Sequence, residues 1–253
     1  MTGCIAETAV IGERVVLGNF VTVGENVRVG PGSVIGNNVV IHRDTVLGDG
    51  VRVDDNAVIG KLPMRASNSA VTKDMELPPA RIGANSIIGT SAVLYRGCDI
   101  GEKVLVADLS TIRENVTVGD FTIIGRGVAV ENFCRIGSYC KLETNVYIAA
   151  YSEVGDRCFI APCVATSNDK YLGRTEKRFN EFKGIVVEKG GRIGVNATIL
   201  PGKVVGEDAV VAAGAVLTRD AECHKIYAGV PAKFFREVPA EELLENQKGM
   251  GKQ

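Results

Sequence analysis

Three acidic residues interrupt the regular glycine pattern of this chain. Glu131 and Glu143 stand where glycine usually follows an aliphatic residue, and Asp108 occupies the position after such a glycine site. Tyr95 and Arg113 replace the glycine in the same way. A carboxylate in a fixed place can accept a hydrogen bond from a reacting group and orient it. These positions predict a site at Asp108, Glu131 and Glu143, with Tyr95 and Arg113 beside them.

The elements that must position these residues follow from a six-residue repeat. An aliphatic residue returns every six residues from 5 to 59, from 82 to 160 and from 187 to 217. Three repeats make one triangular coil, so this period predicts an all-β solenoid, a parallel β-helix of about ten coils. The third residue after the aliphatic one is usually Gly, Asn or Asp, which tolerate a positive φ at a corner.

The residue four after the aliphatic one is predicted to point inward as well. Cys98, Cys134, Cys140 and Cys158 all fall in this slot, which favours small apolar side chains. The seven cysteines are an odd number and contain no Cys-x-x-Cys motif, so we predict free thiols in a reducing compartment. Two histidines are too few for the three-histidine zinc site of a γ-type carbonic anhydrase, and no metal is predicted.

Composition narrows the class of protein further. Hydrophobic residues are 45% of the chain and aromatic residues only 6%, which suits a narrow aliphatic core. A net charge of −1 predicts neither nucleic-acid nor membrane partners, and no apolar run is long enough to span a bilayer. We expect a cytoplasmic protein with one β-helix domain, residues 1–218, and a C-terminal cap, residues 219–253, with a short amphipathic helix near 239–245.

Two excursions interrupt the repeat, at residues 61–81 and 168–186. The first contains Pro63, Pro78 and Pro79, and the second is polar and charged. Insertions in a solenoid often lie on one face and carry function. The acidic residues fall between the two excursions in sequence, which strengthens the prediction of a site there.

Three C-terminal segments carry a resemblance to a known family. Residues 193–202, 212–216 and 228–233 resemble the coenzyme A segment of hexapeptide-repeat, left-handed β-helix acyltransferases. The resemblance implies left-handed coiling, a homotrimer with its active site between subunits, and acyl-CoA as co-substrate.

A second group of segments resembles one subgroup of this family. Residues 142–148, 159–162 and 166–169 are similar to enzymes that acylate amino groups of nucleotide-linked deoxysugars. Residues 174–178 are similar to the 3-amino and 4-amino dideoxyhexose enzymes, including the anthrose-pathway type. The implied activity is transfer of an acetyl or short hydroxyacyl group to the sugar amine, without a histidine base. His42 and His224 both lie away from the predicted site.

The resemblance and the chemistry of coenzyme A together assign the remaining site residues. Asn145 and Tyr147 are expected near the sugar. Coenzyme A phosphates need cations and backbone donors, and its pantetheine arm needs small residues beside it. The predicted coenzyme A residues are Asn168, Asp169, Arg174, Ala212, Ala213, Gly214, Lys225 and Lys233.

Two other functions remain open from the sequence. One is an O-acetyltransferase of a sugar or antibiotic, and the other is a noncatalytic β-helix scaffold in which the excursions bind partners. A bifunctional sugar nucleotidyltransferase is not expected, because the repeat begins at Ile5 and leaves no room for a nucleotide-binding domain.

Overall fold

The computed structural model describes residues 3–70 and 75–247, which form a parallel β-helix with three sheets. Residues 71–74 of the first excursion and 248–253 of the predicted cap lie outside the described residues. In chain order, strands β1 to β33 are Cys4–Ile5, Val10–Ile11, Val16–Leu17, Thr22–Val23, Arg28–Val29, Val34–Ile35, Val40–Ile41, Val46–Leu47, Arg52–Val53, Val58–Lys61, Arg81–Ile82, Ile87–Ile88, Val93–Tyr95, Asp99–Ile100, Leu105–Val106, Thr111–Ile112, Thr117–Val118, Ile123–Ile124, Ala129–Val130, Arg135–Ile136, Lys141–Leu142, Tyr147–Ile148, Glu153–Val154, Phe159–Ile160, Ala165–Thr166, Val186–Val187, Arg192–Ile193, Thr198–Ile199, Val204–Val205, Val210–Val211, Val216–Leu217, Lys225–Ala228 and Lys233–Glu237.

Every third strand belongs to the same sheet. Sheet A runs from β1 through β4 to β31 with 11 strands, and sheet B runs from β2 to β29 with 10. Sheet C runs from β3 to β30 and adds β32 and β33, for 12 strands. Strands β1 to β30 therefore make ten complete coils, and β31 and β32 extend the prism slightly beyond the number that the period predicts.

The two inward positions of the repeat form the core. Ile35 and Val39 are fully buried, while Val34, which precedes Ile35 in the strand, faces outward. The corner residue Asn38 has a φ of 55° and donates its backbone N–H to Asn19 O one coil earlier, at 2.8 Å. Inward packing and corner conformation thus follow the same six-residue period.

The cysteine prediction is confirmed for the four inward positions. Cys98, Cys134, Cys140 and Cys158 are buried free thiols. Burial raises the pKa of Cys98 and Cys134 to about 12. A thiol that stays protonated is a poor nucleophile, so these residues fill the core.

Before the second excursion, the β-helix continues for one more six-residue unit than the aliphatic pattern, which ends at residue 160, predicts. Thr166 takes the aliphatic position of β25 and is buried, because its hydroxyl donates to Tyr147 O at 3.1 Å and accepts from Ala149 N at 2.7 Å. The second excursion also ends earlier than predicted. Ile185 already fills an inward slot and Val186 begins β26.

Both excursions leave the same edge of the prism. We name each edge by the two sheets that its turns connect, in chain order: A–B, B–C and C–A. The first excursion connects β10 of sheet A to β11 of sheet B, and the second connects β25 to β26 of the same two sheets. Four turns of the A–B edge, after β13, β16, β19 and β22, lie between them. The second excursion contains helix α1, Arg178–Glu181.

The short C-terminal helix predicted near 239–245 takes the form of 3-10 turns. The structure has two separate 3-10 turns, Ala240–Glu242 and Leu244–Asn246, with Leu243 extended between them. Before these turns, β33 pairs antiparallel with β32 and continues sheet C beyond the last coil. A seven-residue helix gains little from its own hydrogen bonds, so contacts with the prism decide the conformation of this segment. No helix within residues 3–70 and 75–247 is long and apolar enough to cross a membrane.

Candidate functional site

The A–B edge carries a column of stacked functional side chains between the two excursions. Tyr95 ends β13, and Arg113 and Glu131 occupy the equivalent position directly after Ile112 and Val130 in the next two coils. The Arg113 guanidinium carbon lies 4.9 Å from the centroid of the Tyr95 ring, and the Lys61 amine lies 5.3 Å from the same centroid. Cations near an aromatic ring are attracted by its electron density. The coil repeat therefore brings together residues that lie 18 apart in sequence.

Arg113 is fixed by two carboxylates. Its Nε and Nη2 donate to the two oxygens of Glu114, at 2.8 and 3.1 Å, and its Nη1 lies 3.4 Å from Glu131 Oε2. Only 3% of the Glu114 side chain is exposed, against 25% for Glu131. A two-bond pair of this kind holds the guanidinium plane in one orientation. Glu114 is not among the residues predicted for the site, because an acidic residue is common at this turn position.

The pKa values of Glu131 and Tyr147 are both raised by their surroundings. Burial raises the pKa of Glu131 above its ordinary value, and Glu114 adds to that effect, while Arg113 opposes it. Tyr147, on the neighbouring strand β22, has a raised pKa because of burial and then the Glu131 carboxylate. Its side chain is outward-facing and 42% exposed. Glu131, Arg113, Tyr95 and Tyr147 therefore form one electrostatic group.

The other two predicted carboxylates lie on a different edge. Asp108, Glu143 and Asn145 belong to turns of the C–A edge, which precede sheet A strands, whereas Glu131 follows one. Glu143 is half-buried, and Asn145 is an exposed corner residue with a φ of 60°. Sheet A thus separates the predicted carboxylates into two groups in the single chain.

Asp108 makes a hydrogen bond of a kind that recurs at other corners of the prism. Its Oδ1 accepts the backbone N–H of Thr90, one coil earlier, at 2.8 Å. The same contact joins Asp120 to Glu102 N and Asp156 to Ser138 N, both at 2.8 Å, on the B–C edge. Because Asp108 satisfies a turn amide in this repeated way, its geometry is that of a corner cap.

The second excursion is folded around Asp169. This carboxylate accepts the backbone N–H groups of Tyr171 and Gly173 at 2.9 Å, and Arg178 Nη2 at 2.8 Å. Burial opposes ionisation, but these donors together hold the pKa of Asp169 below its ordinary value. Asn168 O accepts Lys183 N where the excursion returns, and Arg174 is exposed. Of the three predicted coenzyme A residues here, Asp169 shapes the loop and Arg174 extends from it.

The predicted coenzyme A residues of the last coils are brought together. Ala212 N donates to Tyr227 O at 2.8 Å, and Val216 N donates to Gly229 O at 3.1 Å. These bonds place the turn after β32 beside Ala213 and Gly214. Lys233 is exposed at the start of β33, opposite Ala228, whereas Lys225 is paired with Glu222. Small corner residues and the exposed Lys233 thus lie side by side.

The two histidines lie at a distance from Glu131 along the prism. His42 lies on the A–B edge, four coils before Glu131, and His224 lies after the last coil. Burial, and then the charge of Lys61, lower the pKa of His42. Within residues 3–70 and 75–247, no group of three His, Cys, Asp or Glu side chains is arranged to hold a metal ion.

Comparison with protein families shows which repeats the chain contains. The "Bacterial transferase hexapeptide (six repeats)" family matches residues 8–43, and the "Hexapeptide repeat of succinyl-transferase" family matches residues 79–107 and 184–219.

Curated relatives match a shorter part of the chain. A 2,3,4,5-tetrahydropyridine-2,6-dicarboxylate N-acetyltransferase of Enterococcus faecalis is 46% identical over 54 residues, which are 21% of this chain and 23% of that protein. The Staphylococcus aureus (strain JH9) protein of the same name is 41% identical over 64 residues, 25% of this chain and 26% of that protein. The chain spans about a quarter of the length of these relatives.

A solved structure shares the fold. A mutant of AntD, an N-acyltransferase from Bacillus cereus, in complex with dTDP and coenzyme A, superposes with a TM-score of 0.51 at 19% identity. The alignment covers 56% of this chain and 84% of that chain. The chain is therefore similar to bacterial hexapeptide-repeat transferases in parts of its repeat, and it shares the fold of an N-acyltransferase.

Proposed function

We propose that this protein is an acyl-CoA-dependent N-acyltransferase whose acceptor is the amino group of a nucleotide-linked amino-deoxysugar. The observation that carries the proposal is the partly buried Glu131 carboxylate beside Arg113, on the one edge that both excursions flank. The N-acetyltransferase names of the curated relatives support acyl transfer to nitrogen.

Glu131 is proposed to orient the amine. The sugar ammonium first loses one proton to solvent, and the neutral amine then donates a hydrogen bond to the Glu131 carboxylate. Its nitrogen attacks the thioester carbonyl carbon, the C–S bond breaks, and the departing thiolate takes one of the two protons on the acylated nitrogen, which leaves the amide and the free thiol. Positioning of this kind can lower a barrier by several kcal/mol. Arg113 acts as a positioning residue because it holds Glu131 ionised and in place.

The acyl donor is proposed to lie along the last coils of the C–A edge. Ala212, Ala213 and Gly214 leave room for a pantetheine arm beside the backbone, and Lys233 offers a cation to a phosphate. Lys225 contributes only after its pair with Glu222 opens. Asn168 and Arg174 of the second excursion are proposed to complete the donor site from a neighbouring subunit.

A trimer is proposed because sheet A separates the two groups of site residues. The first, outward-facing residue of each of the 11 strands of sheet A is uncharged, whereas sheet B presents Arg28, Arg81, Asp99, Arg135 and Glu153. Charged residues are depleted at the centres of interfaces. Packing sheet A against another copy can bring the C–A edge of one subunit to the A–B edge of the next. Sedimentation that shows a fully active monomer at micromolar concentration contradicts this part of the proposal.

Acceptor screening tests the activity. Purified protein with acetyl-CoA and short hydroxyacyl-CoA donors is assayed for thiol release against thymidine- and uridine-linked amino sugars, and against simple sugars. We expect release only with the amino sugars. Selective turnover of hydroxyl acceptors instead assigns an O-acetyltransferase.

A thermal-shift titration separates an enzyme from a scaffold. A ligand at 100 times its Kd stabilises the folded state by about 2.7 kcal/mol, so coenzyme A is expected to raise the Tm of this protein clearly. A Tm that does not respond to coenzyme A favours the noncatalytic scaffold.

A further inference from the structure

A second concave site lies on sheet C and the B–C edge, away from the proposed acceptor site. The C-terminal segment folds back over the prism, where Arg192 Nη1 donates to Glu242 Oε2 at 2.7 Å and Leu244 N donates to Asp208 Oδ2 at 2.9 Å. Between this segment and sheet C lies a groove of about 780 Å³. We call it the tail groove. Binding in this groove is independent of the proposed acyl transfer.

One wall of the tail groove is a continuous stack of side chains. Lys103 lies 5.1 Å from the centroid of the Phe121 ring, and Arg157 lies 4.7 Å from that of Tyr139. The two rings stack with centroids 4.8 Å apart and planes 7° from parallel. All four residues occupy the third turn position of successive coils, with φ between 54° and 58°. The wall therefore presents ring edges with a cation at each end.

The floor of the groove combines an accessible ring with cations. Phe159 is 40% exposed and pairs in register with Lys141 on one side and Arg192 on the other. Arg192 Nε and Nη2 are buried and have no hydrogen-bond partner among the described residues. A buried donor without a partner is unfavourable, so an acceptor at this point stabilises the site.

The charges of the groove favour an anion. Its lining has four cationic side chains and three carboxylates. Glu242 and Asp208 already hold the C-terminal segment through Arg192 and the Leu244 amide. Glu241 is the third carboxylate. Among the described residues, Lys141 has no carboxylate within ion-pair distance.

We propose that the tail groove binds a nucleoside phosphate, with the base against Phe159 and the phosphate between Lys141 and Arg192. A flat ring matches the exposed ring of Phe159, since stacking of a base on an aromatic side chain is favourable for every base. Phosphate oxygens match the unfilled donors of Arg192 and the ammonium group of Lys141. Free nucleotides, coenzyme A and nucleotide sugars share this chemistry.

Calorimetric titration tests the site with ADP as the probe, and with adenosine and inorganic phosphate as fragments. We expect ADP to bind more tightly than either fragment. Lys141→Ser is expected to weaken ADP binding by about 10-fold or more, as is typical for loss of a charged hydrogen bond to phosphate. Phe159→Leu is expected to weaken ADP and adenosine but not inorganic phosphate.

Arg135→Ser is the matched control, because Arg135 lies on sheet B and its side chain is 76% exposed. It removes one positive charge far from the groove and is expected to leave ADP affinity unchanged. The proposal is overturned if ADP gives no saturable heat, or if Lys141→Ser and Arg135→Ser have equal effects. Melting curves of each variant show whether the fold is retained.

Competition identifies the source of the nucleotide. If coenzyme A displaces ADP from wild type and Lys141→Ser weakens both, the occupant is the adenosine diphosphate of the donor. Displacement by dTDP but not by coenzyme A indicates a nucleotide sugar. If ADP remains bound in the presence of coenzyme A and of dTDP, the occupant of the groove is a free nucleotide and neither of the two substrates. Failure of acyl transfer in the acceptor screen leaves these binding outcomes unaffected, so the two proposals fail independently.

Discussion

Arg113 and Glu114 are neighbours in sequence, and their side chains form a two-bond ion pair with N–O distances of 2.8 and 3.1 Å. The pair is partly enclosed, since 18% of Arg113 and 3% of Glu114 are exposed. It sets the position of the guanidinium that contacts Glu131, and it therefore connects the stability of the prism to the geometry of the proposed site.

Removal of one member of this pair is expected to destabilise the protein. In Glu114→Ala the partly buried Arg113 loses its strongest partner, and the free energy of unfolding is expected to fall by about 3 kcal/mol, as for other broken buried pairs. Denaturant unfolding measures this value. Glu153→Ala breaks an exposed contact with Arg135 at 3.9 Å and is expected to change stability by less than about 1 kcal/mol. Equal effects of the two variants contradict the structural importance of Glu114.

The amide variants of Glu131, Glu143 and Asp108 are expected to differ in kcat/KM. Glu131→Gln keeps the shape of the side chain but removes the charge that holds the amine, so kcat/KM is expected to fall by about 10-fold to 100-fold, or roughly 1.4 to 2.7 kcal/mol. Glu143→Gln tests the half-buried carboxylate of the C–A edge in the same assay. Melting temperatures are expected to stay near wild type. If Glu131→Gln, Glu143→Gln and Asp108→Asn are all kinetically silent, the proposed site is in the wrong place.

Asp108 is expected to act through the fold. Asp108→Asn retains an oxygen that accepts Thr90 N, whereas Asp108→Ala removes it and is expected to lose about 1 kcal/mol of stability. Asp120→Ala is the matched comparison, because Asp120 makes the equivalent contact with Glu102 N. Denaturant unfolding of both alanine variants should give similar losses. A kinetic defect in Asp108→Asn at unchanged stability assigns Asp108 to the site instead.

The pH dependence of the reaction is expected to report on Glu131. Burial raises the pKa of this carboxyl, and Arg113 opposes the rise. Because the ionised form orients the amine, activity is expected to fall as the pH drops through this raised pKa, above the ordinary glutamate value of about 4.3. Arg113→Gln removes the opposing cation and should move the acidic limb of the kcat/KM profile to higher pH. A limb that stays in place excludes the proposed role of Arg113.

The histidines are expected to be dispensable for catalysis. His42→Asn and His224→Asn should each keep most of kcat, since an amine nucleophile does not need a histidine base. A loss of about 10³-fold, the scale for removal of a general base, shows that the site lies elsewhere. His42 has a second testable effect. Its lowered pKa means that stability is lost as the pH falls below the ordinary value of 6.5, and His42→Asn should reduce that loss in unfolding experiments.

The sequence by itself determined the coil, because each step of the repeat is a local requirement. An inward aliphatic such as Ile35 and a positive-φ residue such as Asn38 are needed at every corner, so six-residue spacing leads to a β-helix without knowledge of distant contacts. The same logic placed the buried cysteines. It also indicated the two excursions, since they are the points where the period fails.

Tertiary structure decided which edges the site residues share. The sequence does not show which sheet the chain joins when it returns from an excursion. It therefore did not show that both excursions connect sheet A to sheet B at the A–B edge. The Arg113–Glu114 pair, and the Asp108 contact with Thr90 N, depend on which partner each side chain meets when coils stack. The C-terminal 3-10 turns depend on contacts with Asp208 and Arg192, because so short a segment has too few internal hydrogen bonds to fix its own conformation.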